Sequence, residues 1–203
     1  MRLLSVDARV TGRDRGALAT LIETAGADIA CVHNGPRLLR WRSICASVGR
    51  RAGLVVVGGG RPAGANLLLS SLGVDSLRTQ DVTLGGGSAL HGTGAALAVL
   101  RYGGTEFALV AATLLGNAAE RLAQASRLQD AISGLSPGSP PVILCAQGAD
   151  PPRTAAWQAL AASRVPVAGR IFVDSRITID ESHELDGYAA AALPPVVVEA
   201  TLA

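Results

Sequence analysis

At 203 residues and 20.6 kDa the chain is long enough for one substantial core, and no break in composition points to a second domain, so a single domain over 1–203 is expected. A formal charge of +2, from 18 basic and 16 acidic residues, is far from the dense basic balance that favours a nucleic-acid surface. The apolar fraction is 49% with aromatics at only 3%, so the core has to be built from Ala, Val, Leu and Ile, which suits β-branched strands flanked by Ala/Leu helices.

Cys31, Cys45 and Cys145 have no metal-ligand or redox spacing, and Cys31 and Cys145 lie inside apolar runs, so they read as small buried hydrophobes in a reducing cytoplasm. The opening Met1-Arg2-Leu3-Leu4-Ser5-Val6 turns polar at Asp7, unlike a signal peptide, and no apolar run reaches the roughly 20 residues a membrane helix needs. A soluble cytoplasmic chain without a membrane association is the expectation.

In chain order, Leu3 to Val6 has strand character. Asp14 can cap a helix whose Leu18, Leu21, Ile22 and Ala25 share one face, with Gly26 as its stop. Asp28 to Val32 is a second strand ending at His33-Asn34-Gly35-Pro36, giving a βαβ-like start with both strands ending in polar tips, where ligands of α/β sheets usually bind. His33 reads first as a loop histidine satisfied by local hydrogen bonds, and Asp7 is a carboxylate at a strand end. The stretch from Leu38 to Arg50 is helical, with Leu38, Trp41, Cys45 and Val48 inward. Arg37, Arg40, Arg42, Arg50 and Arg51 make it the most basic segment, read as a solvated face.

Leu54 to Val57 is a strand, and Gly58-Gly59-Gly60 reads as a turn matching neither nucleotide-binding glycine signature. Asn66 to Ser70 is a strand, and Val74 to Leu84 an outer strand or pair of strands. Ala95 to Arg101 and Glu106 to Thr113 are joined by a hairpin at Gly103-Gly104. An amphipathic helix follows from Ala118 to Leu135, with Leu122, Ala125, Leu128 and Ile132 inward. Val142 to Cys145 is a central buried strand that delivers Gln147, Ala149 and Asp150 to one rim of the fold. Thr154 to Ala162 is a short helix in which Trp157 is a core residue. Gly169 to Asp174 and Arg176 to Ile179 are strands, Asp180 to Asp186 a solvated polar loop, and Val196 to Leu202 a terminal strand.

The ordered set of Arg2-to-Asp7, Asp28-to-Asn34, Gly64-to-Ser70, Val110-to-Gly116, Ile143-to-Asp150 and Pro195-to-Glu199 resembles the endonuclease/exonuclease/phosphatase family over nearly the whole chain. The resemblance implies a four-layer α/β sandwich, with two face-to-face mixed β-sheets flanked by helices. Active members of that family are similar to one another as metal-dependent phosphodiesterases or phosphomonoesterases, usually with Mg²⁺. Here the family's active-site positions fall on Asp7, Asn34, Leu114, Gln147, Ala149, Ala192 and Leu193, and its arginine-isoleucine-aspartate segment on Arg170-Ile171-Phe172. Hydrolysis at such a site needs oxygen ligands for a hard cation, a group to orient water, and positive charge against the developing phosphorane. Neutral and apolar side chains stand at most of those positions.

The leading expectation is therefore a non-catalytic pseudo-hydrolase with no catalytic residue, no metal ligand and no cofactor, acting as a small-molecule or protein binding or assembly module, with homo-oligomers among the assemblies open to it. The alternative is a divergent phosphodiesterase or phosphatase with a rebuilt Mg²⁺ site that uses Asp7, His33 and Asp150. A nucleic-acid module built on the arginines from Arg37 to Arg51 is the third reading, and nucleic acid is not the expected partner.

Overall fold

The computed structural model describes residues 1–12, 14–37, 39–85, 93–148, 154–186 and 194–202. Its strands are β1 (Arg2–Asp7), β2 (Ile29–His33), β3 (Val55–Gly60), β4 (Asn66–Ser70), β5 (Val74–Thr83), β6 (Gly94–Tyr102), β7 (Thr105–Thr113), β8 (Val142–Gln147), β9 (Val165–Val167), β10 (Ile171–Val173), β11 (Ile177–Glu184) and β12 (Val196–Leu202). The helices are α1 (Arg15–Thr24), α2 (Trp41–Arg51), α3 (Ala118–Ser133) and α4 (Ala155–Ala161).

Two six-stranded mixed sheets result, ordered β11-β12-β1-β2-β4-β3 and β5-β6-β7-β8-β10-β9. Among the described residues parallel pairing is confined to β1 with β2 and β7 with β8, so four neighbouring strand ends can meet at one rim. Alternating side chains divide the interior. Leu3, Ile29, Cys31, Leu68, Ala111, Ile143 and Cys145 fill the space between the sheets. Leu4, Val32, Leu67 and Leu69 face α1 and α2, while Leu97, Val110, Leu144 and Phe172 face α3 and α4. The small side chains at Ala96, Ala98 and Ala111 explain how so few aromatics suffice, since the inter-sheet space is filled by interlocking aliphatics.

Local chemistry accounts for most boundaries. The Asp14 carboxylate accepts from the Gly16 and Ala17 amides at the start of α1, and Gly26 takes a left-handed conformation at its end. Asn117 and Glu120 form a reciprocal capping box at α3. Gly103 and Gly104 both have positive φ, as the two-residue turn between β6 and β7 requires.

Several boundaries differ from expectation. Gly58 to Gly60 continue β3, with a bulge between Val56 and Gly58, instead of forming a turn. A Cβ on Gly60 would run into the Trp41 ring, so the glycines let helix α2 lie close on the strand. Leu122 is 38% exposed, and the inward place on α3 is taken by Gln124, whose amide both donates to and accepts from the Leu115 backbone at 2.9 Å. The polar run through Glu184 is strand, because β12 supplies backbone partners that override its loop-like composition. The short strand β9 has no counterpart in the sequence reading. The helix around Trp41 begins at Trp41 itself, and Leu38 lies outside the described residues. Cys31, Cys45 and Cys145 are buried and unpaired, and no helix among the described residues is long and apolar enough to cross a membrane.

Candidate functional site

β1 and β2 place Asp7 opposite His33, and β7 and β8 place Thr113 opposite Gln147. Side chains from these ends meet across the two sheets. Asp7 is 3% exposed. It accepts from the Arg9 amide at 2.9 Å, from Arg9 Nε at 2.9 and 3.1 Å, and from Arg9 Nη2 at 2.5 Å. Burial works to raise the Asp7 pKa, but the hydrogen bonds and charge of Arg9 override it and hold the carboxyl below its usual range. The turn at Ala8–Thr11, which Asp7 caps, sets the two-residue spacing that brings Arg9 back onto the carboxylate.

Asn34 follows β2 with φ 52°, a conformation that asparagine tolerates better than most side chains. Its Nδ2 donates to Asp7 Oδ2 at 3.1 Å and to Gln147 Oε1 at 3.0 Å. One amide thus ties the first sheet's rim to the second's.

His33 is the last residue of β2 and fully buried, so the expectation of a loop histidine is corrected: its partner is distant in sequence. Its Nδ1 lies 2.8 Å from Asn66 Oδ1, which also accepts from Thr113 Oγ1 at 2.8 Å. Asn66 Nδ2 donates to the carbonyls of Ala63 at 2.8 Å and Gly94 at 2.9 Å, which fixes the amide's orientation and makes His33 Nδ1 the donor. Nε2 then carries the lone pair and has no hydrogen-bond partner. Burial lowers the His33 pKa to about 4, outweighing the hydrogen bond to Asn66 and the nearby Asp7 charge, so the ring is neutral near pH 7.

The remaining sequence candidates are distributed unevenly. Gln147 is 4% exposed at the end of β8. Leu114, 1% exposed, packs with the apolar cluster beneath α3 and α4 and is not among the side chains joined at the rim. Gly148 takes φ 74° where a Cβ would strike the Leu114 carbonyl, so the chain leaves β8 pressed against the end of β7. Ala149, Asp150, Ala192 and Leu193 lie outside the described residues.

Three side chains the sequence reading gave no place in this network belong to it: Arg9, Asn66 and Thr113. Their signal was the polar residue at the start or end of an apolar strand, and for Arg9 its spacing from Asp7. Arg170, noted only as part of a family segment, lies close enough for its charge to act on His33 and for the Asp7 charge to act on it, and its Nε and Nη2 have no hydrogen-bond partner. Burial lowers its pKa, with Glu184 and Asp7 among the opposing influences. Phe172, two residues on, is fully buried edge-on to Trp157 at 5.8 Å between ring centroids.

Among the described residues, this set does not fit a resident divalent cation. A hard cation needs several oxygen ligands with negative charge among them. Among the described residues Asp7 is the single carboxylate in the hydrogen-bonded network and is committed to Arg9, while Asn34 Nδ2 donates to Asp7 Oδ2 and Gln147 Oε1. Among the described residues no group of three or more His, Cys, Asp or Glu could hold a metal ion.

No family model and no curated protein matches the sequence. Solved structures do. An endonuclease/exonuclease/phosphatase family protein from Bacteroides thetaiotaomicron superposes with a TM-score of 0.77 at 14% identity, covering 100% of this chain and 98% of that one. A mannosyl-6-phosphatase from the same organism gives 0.75 at 14% identity, with 100% of each chain covered. The human Nocturnin catalytic domain with bound sulfate gives 0.74 at 13% identity, covering 100% of this chain and 93% of that one. The two facing mixed sheets, their helical outer layers and these end-to-end superpositions establish that the chain has the endonuclease/exonuclease/phosphatase fold.

Proposed function

We propose that the protein is a non-catalytic pseudo-hydrolase that uses its rim to bind a small molecule or a partner protein, a second copy of the chain included. The observation that carries this reading is the Asn34 amide, which satisfies both Asp7 and Gln147 where the family resemblance implies cation-binding oxygens. A site closed by its own hydrogen bonds gains nothing from a cation and would have to lose those bonds to admit one. Arg170, whose Nε and Nη2 have no hydrogen-bond partner and whose charge is felt at His33, supplies a donor for a ligand without a metal. Buried free thiols fit the reducing cytoplasm in which we place it.

The test is hydrolysis of a phosphodiester and phosphomonoester panel with and without Mg²⁺, alongside calorimetric Mg²⁺ titration. No turnover and no cation binding are expected. Mg²⁺-dependent turnover abolished by Asp7→Ala or His33→Ala would establish the rebuilt hydrolase instead, with Asp150 the next residue to replace.

A further inference from the structure

Between Asp28 and Asp75 the chain contains no acidic residue and six arginines: Arg37, Arg40, Arg42, Arg50, Arg51 and Arg61. None of the six forms an ion pair within the described residues, where the ion pairs involve Arg2, Arg9, Arg101 and Arg176 together with His183. Arg50 and Arg51 occupy the last turn of α2, where cations complement the helix dipole, and need no further explanation. Arg37, Arg40 and Arg42 cluster at the opposite end, where the dipole is positive and anions are favoured.

That end is built unlike the other helix starts. Asp14, Asn117 and Thr154 cap α1, α3 and α4 with side-chain oxygens, whereas α2 begins at Arg40, which has φ 60° and makes no side-chain cap hydrogen bond. The left-handed backbone costs on the order of 1 to 3 kcal/mol for a non-glycine residue. Beside it Leu39 is 89% exposed, the most exposed large hydrophobic residue among the described residues. Trp41 is held by packing on Gly60, with the Arg42 guanidinium 4.4 Å from its ring centroid. An exposed apolar side chain is thus flanked in sequence by Arg37, Arg40 and Arg42, next to a tryptophan packed on Gly60.

We propose that this end of α2 docks peripherally on an anionic lipid surface, with Leu39 entering the headgroup boundary and Arg37, Arg40 and Arg42 contacting lipid phosphates. Charge complementarity calls for a polyanion, and Leu39 chooses between polyanions: a bilayer has an apolar phase to receive it, whereas a nucleic-acid backbone offers only phosphate and sugar. The absence of a membrane-length apolar run bears on spanning and leaves surface docking open. The docking surface does not depend on whether the rim hydrolyses anything.

The test is sedimentation of the full chain with phosphatidylcholine vesicles, with and without phosphatidylglycerol, at low and high salt. Binding confined to the anionic vesicles and weakened by salt is expected. Combining Arg37→Gln, Arg40→Asn and Arg42→Gln should weaken it about 5-fold per arginine, the factor equivalent to about 1 kcal/mol for each basic residue near such a surface. Leu39→Ser, at a position too exposed to unsettle the core, should weaken it several-fold. Equal binding to both vesicle types, no binding to either, or an unchanged Leu39→Ser protein overturns the proposal. Salt-dependent binding of an oligonucleotide that ignores Leu39→Ser reassigns the surface to nucleic acid.

Discussion

Asn34 Nδ2 and Gln147 Oε1 lie 3.0 Å apart, a hydrogen bond between residues 113 positions distant in the chain that joins the ends of β2 and β8 across the sandwich. The same Nδ2 reaches Asp7, so a carboxylate at position 34 would replace two donations with repulsion. Asn34→Asp keeps the shape and the tolerance of positive φ. It should destabilise the protein by about 1–3 kcal/mol at neutral pH, measured by urea unfolding. The deficit should narrow as pH falls, because a protonated carboxyl can donate again. An unchanged midpoint at neutral pH would remove the central support for a self-satisfied rim.

Arg9 and Asp7 differ in exposure, with side chains 60% and 3% exposed. Removing the arginine strands a buried carboxylate. Arg9→Gln should cost about 1–2 kcal/mol, less than for a fully buried pair because solvent screens the guanidinium. Adding Asp7→Asn should restore part of that loss, and a double-mutant cycle reads the coupling directly.

The pH dependence has two windows. The folded pKa of His33 is about 4 against an ordinary 6.5, so between these values the unfolded chain takes up a proton that the folded chain refuses. Stability should fall by about 3 kcal/mol as pH drops from above 6.5 to about 4. His33→Gln should flatten that slope. Asp7, with its folded pKa held below the ordinary 3.8, stabilises above that value and loses its contribution as pH falls through the folded pKa. Chemical denaturation repeated across pH separates the two, since the His33→Gln protein keeps only the acidic window.

Asn66 has four hydrogen-bond partners, and Thr113 is one of them. Thr113→Val should cost about 1 kcal/mol, because Asn66 Oδ1 retains His33. Asn66→Ala orphans groups on both sheets and should cost about 3 kcal/mol or more. Equal losses in the two variants would contradict a role for Asn66 as the hub.

Gly60 combines φ 87° with contact against Trp41. Gly60→Ala should destabilise by about 2 kcal/mol or more through backbone strain and displacement of the ring. Near-ultraviolet circular dichroism should report the altered Trp41 environment.

The sequence by itself determined the elements with strong local signals and their order. Asn66 to Ser70 and Val196 to Leu202 match their strands to the residue, because apolar runs bounded by turn residues leave little choice of conformation. Capping chemistry at Asp14 and Asn117 likewise fixed helix starts locally. That Asn34 and Gln147 stand at strand ends where the family resemblance implies carboxylates is a reading of the sequence. What those residues do was decided only by tertiary structure: Asn34 meets Gln147, and His33 meets Asn66, through pairings between strands far apart in sequence. The same holds for β11, where backbone pairing with β12 drew the polar run from Asp180 to Glu184 into a strand. Hydrogen-bond partners and burial are set by which strand ends arrive at the same rim, and no local periodicity encodes that meeting.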